Sequence, residues 1–225
     1  MSKLIQKLAK QELSRRTVEV LPDVLKECFA QQLEFITDPD KHKILCLPRR
    51  SGKSTAAAYY LINEAIVHPK SKLLYVHLTK SDAKKVMWHD IFETVIIKLG
   101  IKADLVGLEI RFQNGSIIYL TGVDATPNEM NKLRGKKFRL AVIDECQSFT
   151  QDLKQLILQV LTPTLADINA TICLCGTPGN QMGDHYWWTL NKPESPEKGW
   201  KFFTWSWKDN PHVKENMKRL DTIFG

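Results

Sequence analysis

The segment LPRRSGKST, residues 47–55, limits the possible folds of this chain more than any other segment. The preceding run KILCL predicts a buried strand, and KSTAAAYYLINEAI from Lys53 onward predicts a helix. A strand, a turn ending in Gly-Lys-Ser and a helix form the setting of a phosphate-binding loop. The usual motif G-x-x-x-x-G-K-[ST] has its first glycine where this chain has Leu47, and the rigid turn of Pro48 can replace that flexible entry. We therefore predict a phosphate-binding loop here.

The residues of this loop have distinct predicted roles. Gly52 lets the backbone approach the phosphates, Lys53 reaches the β- and γ-phosphates, and the Ser54 hydroxyl ligates Mg²⁺. Arg49 and Arg50 add positive charge beside the polyphosphate or point at a neighbouring subunit; we expect Arg49 to touch phosphate and Arg50 to serve an interface. The predicted nucleotide-binding residues of the loop are Pro48, Arg49, Arg50, Ser51, Gly52, Lys53, Ser54 and Thr55, and Lys53 and Arg49 are also candidate catalytic residues.

A second motif, LAVIDE at residues 140–145, is an apolar strand that ends in two carboxylates. This is the Walker B arrangement, in which Asp144 would hold Mg²⁺ and Glu145 would polarise the attacking water. The alternative is that both acids are solvated turn residues at the end of a strand. A glutamate directly after the metal-binding aspartate favours nucleotide hydrolysis and argues against a small-molecule kinase.

Predicted strands and helices alternate along the chain. The strands are KILCL, LLYVHL, SIIYLTG, FRLAVID and TICLCG, and helices are predicted over 24–37, after residue 53, over 81–98 and over 150–160. Residues 1–20 indicate a basic amphipathic helix, which either packs on its own domain or contacts DNA. The alternation predicts an α/β fold in three layers, with a mostly parallel sheet covered on both faces.

Composition narrows the class of protein. A chain of 225 residues with 43% hydrophobic and 25% charged residues fits one sizeable globular domain. No apolar run reaches the roughly 18 residues needed to cross a bilayer, so we expect no membrane association and a cytoplasmic location. The net charge of +7 permits a polyanionic partner without requiring one. The five cysteines are predicted to be free thiols, of which Cys173 and Cys175 either pack in the core or bind a metal.

Two further motifs complete a set that resembles the large terminase subunit of tailed bacteriophages, the ATPase that packages viral DNA. FAQQLEF, which contains Gln32, resembles a motif that recognises adenine, and CGTPGN, which contains Thr177, resembles a coupling motif that senses the γ-phosphate. PRRSGKST is similar to the deviant phosphate-binding loop of that family, and LAVIDE to its Walker B strand. The resemblance spans residues 29–212 and implies a RecA-like P-loop NTPase domain of the additional-strand (ASCE) class that uses ATP and Mg²⁺.

The segment NKLRGKKFRL before the Walker B strand is strongly basic. The resemblance implies that Arg134 reaches into the site of the next subunit in a ring, where it would act as a catalytic residue by neutralising charge on the transferred phosphoryl group. Contact with the DNA backbone and a solvated basic loop are the two alternatives for this arginine.

The resemblance also implies a domain organisation and partners. We expect residues 1–205 to form the ATPase domain, with 1–28 as a helical extension, and residues 206–225 to begin a small, partial lid subdomain or linker. The C-terminal nuclease domain of the family is expected to be absent from this chain. The implied partners are double-stranded DNA, the portal protein, the small terminase subunit and further copies of the chain. These copies would form a ring, expected to be a pentamer, on the procapsid in the host cytoplasm. In solution the chain is expected to be a monomer.

Two other functions fit some of these features. One is a DNA helicase-like ATPase, although a helicase of the two-domain type needs a second RecA-like domain. The other is a nucleotide-gated module that binds DNA or protein without turnover, against which Glu145 argues. Aromatic residues toward the C-terminus either pack in the core or stack on single-stranded nucleic acid; they are Tyr186, Trp187, Trp188, Trp200, Phe202, Phe203, Trp205 and Trp207.

Overall fold

The computed structural model describes residues 24–124, 136–149, 170–178 and 199–213, together with residues 153, 187 and 190. Within these residues one sheet is built from β1 (His42–Cys46), β2 (Lys72–His77), β3 (Ala103–Val106), β4 (Glu109–Phe112), β5 (Ile117–Gly122), β6 (Leu140–Ile143), β7 (Thr171–Gly176) and β8 (Lys201–Phe203). The strand order is β3-β4-β5-β2-β6-β7-β1-β8. The run from β5 to β8 is parallel, whereas β3 and β4 are added antiparallel at one side.

The order of the central strands decides where the motifs meet. Strand β1 leads into the phosphate-binding loop and β6 leads into the two carboxylates, and β7 lies between them, paired with both. An additional strand between these two is the arrangement that the resemblance implied. Because the three strands are parallel, their carboxyl ends lie side by side, and we call this side of the sheet the carboxyl edge.

Helices cover one face of the sheet. They are α1 (Ala30–Thr37), α2 (Lys53–Val67), α3 (Lys80–Lys84) and α4 (Glu93–Leu99), with a π-helix (Lys85–Phe92) joining the last two. Helix α2 begins directly after Gly52 and contains four alanines and a leucine, which favour helix and let it pack closely on the sheet. Short 3₁₀ helices occupy Val24–Glu27, Cys146–Ser148 and Trp207–Asp209.

Alternate residues of the strands enter two separate hydrophobic clusters. Leu73 and Tyr75 of β2 pack with α2, whereas Leu74 and Val76 face the opposite side, where they pack with Trp187 and other residues. Both faces of the sheet are therefore apolar, as the predicted three-layer arrangement requires. The aromatic residues Trp187, Phe203 and Trp205 are buried in these clusters, which confirms the core-packing interpretation for them, while Tyr186 and Trp188 lie outside the described residues.

The charged side chain of Lys43 lies inside the core. Lys43 of β1 is fully buried, and its ammonium donates hydrogen bonds to the carbonyl oxygens of Phe35 at 2.8 Å and Asp38 at 2.7 Å. Burial lowers the pKa of Lys43, and the nearby ring of Tyr60, 4.7 Å away, offers a cation–π contact. These bonds satisfy carbonyl groups at the end of α1 and so fix the helix that carries Gln32.

The predicted elements agree with the structure for all five apolar strands, with small shifts at their ends. The predicted helix over 24–37 is instead a 3₁₀ turn and α1, and the helix over 81–98 is divided among α3, the π-helix and α4. Strands β3, β4 and β8 were not predicted. The predicted helix at 1–20 and nearly all of that at 150–160 lie outside the described residues. No helix in the described part of the chain is long and apolar enough to cross a membrane.

Candidate active site

The backbone conformation of the phosphate-binding loop explains why the motif can lack its first glycine. Leu47 is fully buried, and its N–H donates to the carbonyl oxygen of Gly176 at 3.0 Å, so this residue continues the strand instead of beginning the turn. The left-handed backbone falls later, at Arg50 (φ 65°) and Gly52 (φ 81°). The Ser51 hydroxyl closes the turn by donating to the carbonyl oxygen of Pro48 at 2.7 Å. The conformational freedom of glycine is therefore needed at Gly52 and not at Leu47.

Three consecutive carbonyl groups of the loop are held by side chains from distant parts of the chain. The Asn210 amide donates to Arg50 O at 2.9 Å, the Trp205 indole to Ser51 O at 2.7 Å, and the Gln32 amide to Gly52 O at 3.0 Å. In a trans peptide the N–H points away from the C=O of the same unit. Anchoring these oxygens on the protein side therefore turns the following N–H groups the other way, as an anion-binding loop requires.

Lys53, the first residue of α2, lies against both Walker B carboxylates. Its Nζ is 3.0 Å from Glu145 Oε1 and 3.4 Å from Asp144 Oδ1, and the side chain is almost completely buried. Burial by itself would lower the pKa of Lys53, but the carboxylates of Asp144 and Glu145 raise it above its ordinary value. The ammonium is therefore charged throughout the physiological pH range and available to a phosphate group.

Asp144 is fully buried and held from several sides. Its Oδ2 accepts hydrogen bonds from the Ser54 hydroxyl at 3.2 Å and the Tyr75 hydroxyl at 3.0 Å, and its Oδ1 accepts one from the Glu145 N–H at 2.8 Å. Burial, and then the nearby Asp144 charge, raise the pKa of Tyr75 well above its usual range, so the phenol remains a hydrogen-bond donor. Tyr75 was not predicted, because one tyrosine in an apolar strand carries no distinctive sequence signal.

A hydroxyl and a carboxylate in contact fit a magnesium site. Ser54 Oγ and Asp144 Oδ2 are hard oxygen donors, and Mg²⁺ in nucleotide sites is commonly held by one or two protein oxygens, water and phosphate. In the described part of the chain no group of three or more His, Cys, Asp or Glu residues could hold a metal on its own. Cys173 and Cys175 are buried in the core with their sulfurs 3.6 Å apart, as the packing interpretation predicted.

Glu145 and Thr177 are connected through a residue that the sequence did not single out. Gln147 donates from Nε2 to Glu145 Oε2, and its Oε1 accepts from the Thr177 N–H at 2.9 Å. Glu145 itself has a left-handed backbone with φ 57°, which is uncommon outside glycine and frequent at functional sites. The Walker B motif predicts the glutamate but contains no signal for this partner.

Most of the predicted site residues come together at the carboxyl edge. Gln32, loop residues 48–55, Asp144, Glu145 and Thr177 all contribute to the contacts described above or adjoin them. Arg49 and Arg50 are exposed at the rim of the loop, which leaves both their phosphate and interface roles as predictions. Gln32 is only 2% exposed and holds the loop, and its adenine contact stays a prediction. Arg134 lies outside the described residues.

Comparison with known protein families shows which family the chain belongs to. The family described as terminase large subunit, T4likevirus-type, N-terminal, matches residues 44–222. The chain belongs to this terminase family. A comparison with curated protein sequences finds no significant match.

Solved structures of large terminases share the fold of this chain. The ATPase domain of the large terminase of Thermus phage P74-26 is 20% identical, with a TM-score of 0.62, and the match covers 85% of this chain and 87% of that domain. A second large terminase, from a thermophilic bacteriophage, matches over 85% of this chain in complexes with ADP (16% identity, TM-score 0.61, 50% of that protein) and ATP-γ-S (15%, 0.58, 49%). The chain thus spans about half the length of this nucleotide-bound terminase. It has the RecA-like P-loop fold of these ATPase domains.

Proposed function

We propose that this domain hydrolyses Mg²⁺-ATP and, as one subunit of a ring, uses the energy to move double-stranded DNA into a procapsid. The observation that carries the proposal is the convergence of Lys53, Ser54, Asp144 and Glu145 where the loop and the Walker B strand end side by side. The nucleotide-bound terminase of the thermophilic bacteriophage, which shares this fold, has been solved with ADP and with ATP-γ-S. A site built from these four residues would bind either nucleotide.

Each of these residues has a role that follows from its position. The loop N–H groups and Lys53 would bind the β- and γ-phosphates, and we expect Lys53 Nζ to leave the carboxylates for this more highly charged partner. Ser54 and Asp144 would hold Mg²⁺, which neutralises phosphate charge. Once Lys53 has moved, Glu145 is left with a carboxylate oxygen that can accept a proton from the attacking water.

Three predicted residues extend the proposal beyond the described geometry. Gln32 would contact adenine, Thr177 would report the state of the γ-phosphate, and Arg134 would complete the site of a neighbouring subunit. Motion of DNA further requires a portal protein and a small terminase subunit, with which the ring would assemble in the host cytoplasm. The family relation supports these proposals for this chain.

Substitution of Glu145 by glutamine tests the hydrolytic assignment. We expect phosphate release to fall by about 100-fold or more, because the amide cannot accept the proton, with ATP affinity close to wild type. Phosphate release and the binding of a fluorescent ATP analogue measure the two effects. Glu34→Gln, which neutralises an exposed carboxylate on α1, is the matched control and should leave both unchanged.

The same assays distinguish the alternatives. A Glu145→Gln protein that retains wild-type turnover would refute the role of Glu145. A wild-type protein that binds ATP without releasing phosphate would instead be a nucleotide-gated interaction module.

The trans role of Arg134 has its own test. Arg134→Ala and Lys53→Ala proteins should each be inactive alone, and a mixture at associating concentrations should recover part of the hydrolysis, since intact sites form between the two. No recovery would overturn the trans role and favour a contact within the same subunit or with DNA.

A further inference from the structure

We propose that Gln147 is a positioning residue that holds the carboxylate of Glu145 in its working orientation and ties it to Thr177, the residue that follows β7. This inference rests on the proposed hydrolysis. Gln147 lies outside the motifs from which hydrolysis was predicted. Gln147 lies in the 3₁₀ helix Cys146–Ser148, directly after the Walker B strand, and its side chain is half-buried.

The two ends of the Gln147 amide match two different partners. Glu145 Oε2 can only accept a hydrogen bond, and the Thr177 N–H can only donate one; Gln147 supplies a donor to the first and an acceptor to the second. A glutamate in its place would supply no donor and would bring a second negative charge beside Glu145. A leucine would supply neither bond. Of these three side chains, which are similar in size, only the glutamine amide satisfies both contacts.

The backbone on both sides is shaped to permit this bridge. The left-handed turn at Glu145 and the bond from Ser148 N to Glu145 O, at 2.9 Å, bring the Gln147 side chain back over Glu145. On the other side, a Cβ added to Gly176 would lie 2.7 Å from Gln147 Oε1 and 2.6 Å from the Trp187 ring. The backbone φ of Gly176 is not in the left-handed region, so glycine is needed here for space and not for conformational freedom.

The bridge uses a different oxygen from the one that faces Lys53. Lys53 contacts Glu145 Oε1, whereas Gln147 contacts Oε2. If nucleotide draws Lys53 away, Gln147 still fixes the carboxylate plane, so that Oε1 is presented to water. Thr177 continues the connection, because its carbonyl oxygen accepts from the Trp187 indole at 3.1 Å. A single run of hydrogen bonds therefore links the hydrolytic glutamate to the segment that follows β7.

Gln147→Leu, studied in the full chain with saturating Mg²⁺-ATP, tests this inference. We expect kcat to fall about 10- to 100-fold while the dissociation constant for ATP changes little, because the residue orients Glu145 without touching the phosphates. A residue needed only for folding would lower the active fraction and leave the kcat of folded protein unchanged, so kcat is normalised to the nucleotide-binding sites titrated in each sample. Gln113→Leu, an exposed glutamine in the turn between β4 and β5, is the control.

Two further variants keep the test decisive. Gln147→Glu keeps the size of the side chain and should lower kcat at least as much as Gln147→Leu does. If Gln147→Leu is unstable, the kcat of Gln147→Glu provides the test. In a Glu145→Gln background, Gln147→Leu should cause no further loss in single-turnover hydrolysis, since the group that it positions is gone. Wild-type kcat in both Gln147 variants, or full additivity with Glu145→Gln, would overturn the inference while leaving the hydrolytic role of Glu145 intact. Absence of phosphate release from wild-type protein would instead refute the proposed function.

Discussion

The two sides of the candidate active site are built in different ways. The phosphate-binding loop is held through its backbone, by neutral donors from Gln32, Trp205 and Asn210 that lie far from it in the sequence. The Walker B side is held through charged side chains, in which Asp144 and Glu145 pair with Lys53. The loop side fixes a shape, and the carboxylate side fixes a distribution of charge.

Because the two sides are held differently, we expect them to control different properties of the site. A loop whose N–H groups are aimed by distant anchors should determine how tightly phosphate is bound. Carboxylates whose orientation is set by their neighbours should determine how fast bound nucleotide is hydrolysed. Changes on one side should therefore affect affinity and changes on the other should affect turnover, except at Lys53, which belongs to both.

The largest effect is expected for Lys53→Ala, because Lys53 joins the two sides. Removing the ammonium takes away the charge that faces the phosphates, so phosphate release should fall by about 100-fold or more and ATP binding should weaken as well. Lys72→Ala, at the amino end of β2 with an exposed side chain, controls for the loss of a lysine. Hydrolysis at the wild-type rate in the Lys53 variant would show that the loop does not bind the reacting phosphates.

An intermediate effect is expected for Trp205→Phe, which removes the hydrogen bond to Ser51 O and keeps most of the packing. One neutral hydrogen bond contributes about 1 kcal/mol, which corresponds to about a fivefold weaker ATP affinity. The kcat at saturation should not change. Trp200→Phe, which alters a half-buried tryptophan that contacts His42 instead of the loop, is the matched control. A loss of kcat without a loss of affinity would contradict the proposal that the loop side controls affinity and the carboxylate side controls turnover.

The smallest effect is expected for Tyr75→Phe on the carboxylate side. The variant loses the bond to Asp144 Oδ2, but Asp144 keeps its contacts with Ser54 and with the Glu145 N–H. We expect the free energy of unfolding, from denaturant titration, to fall by about 1 kcal/mol, with the affinity for ATP measured without Mg²⁺ unchanged. Tyr59→Phe, which alters a half-buried tyrosine of α2, is the control. A marked loss of Mg²⁺-free affinity would show that this side also shapes the loop.

The sequence predicted the charged side of the site better than the backbone side. Lys53, Asp144 and Glu145 lie in short motifs at the ends of apolar strands, so their chemistry and their meeting point both follow from local pattern. Asn210 and Arg50 are 160 positions apart, and a side-chain bond to a carbonyl over that distance leaves no trace in the local sequence. The bridge through Gln147 was missed for a related reason, since it depends on the left-handed turn at Glu145.

The same contrast holds for the fold. Strands β1, β2, β5, β6 and β7 are buried on both faces and read as continuous apolar runs. Strands β3 and β4 have four residues each and expose alternate side chains, and β8 has three residues, so none of them carries a strong pattern. The π-helix between α3 and α4 has ordinary helical periodicity in sequence and was predicted as one continuous helix.

A pair of crystal structures, with and without Mg²⁺-ATP-γ-S, would show whether nucleotide moves Lys53 from Glu145 to the phosphates. We expect Lys53 Nζ, which lies 3.0 Å from Glu145 Oε1 in the present structure, to move out of contact with Glu145 and onto the β- and γ-phosphates. Glu145 Oε2 should stay bonded to Gln147, and Ser54 and Asp144 should face the metal. A nucleotide bound in the loop while Lys53 remains paired with Glu145, or a nucleotide bound away from the loop, would refute the proposed role of Lys53 in phosphate binding.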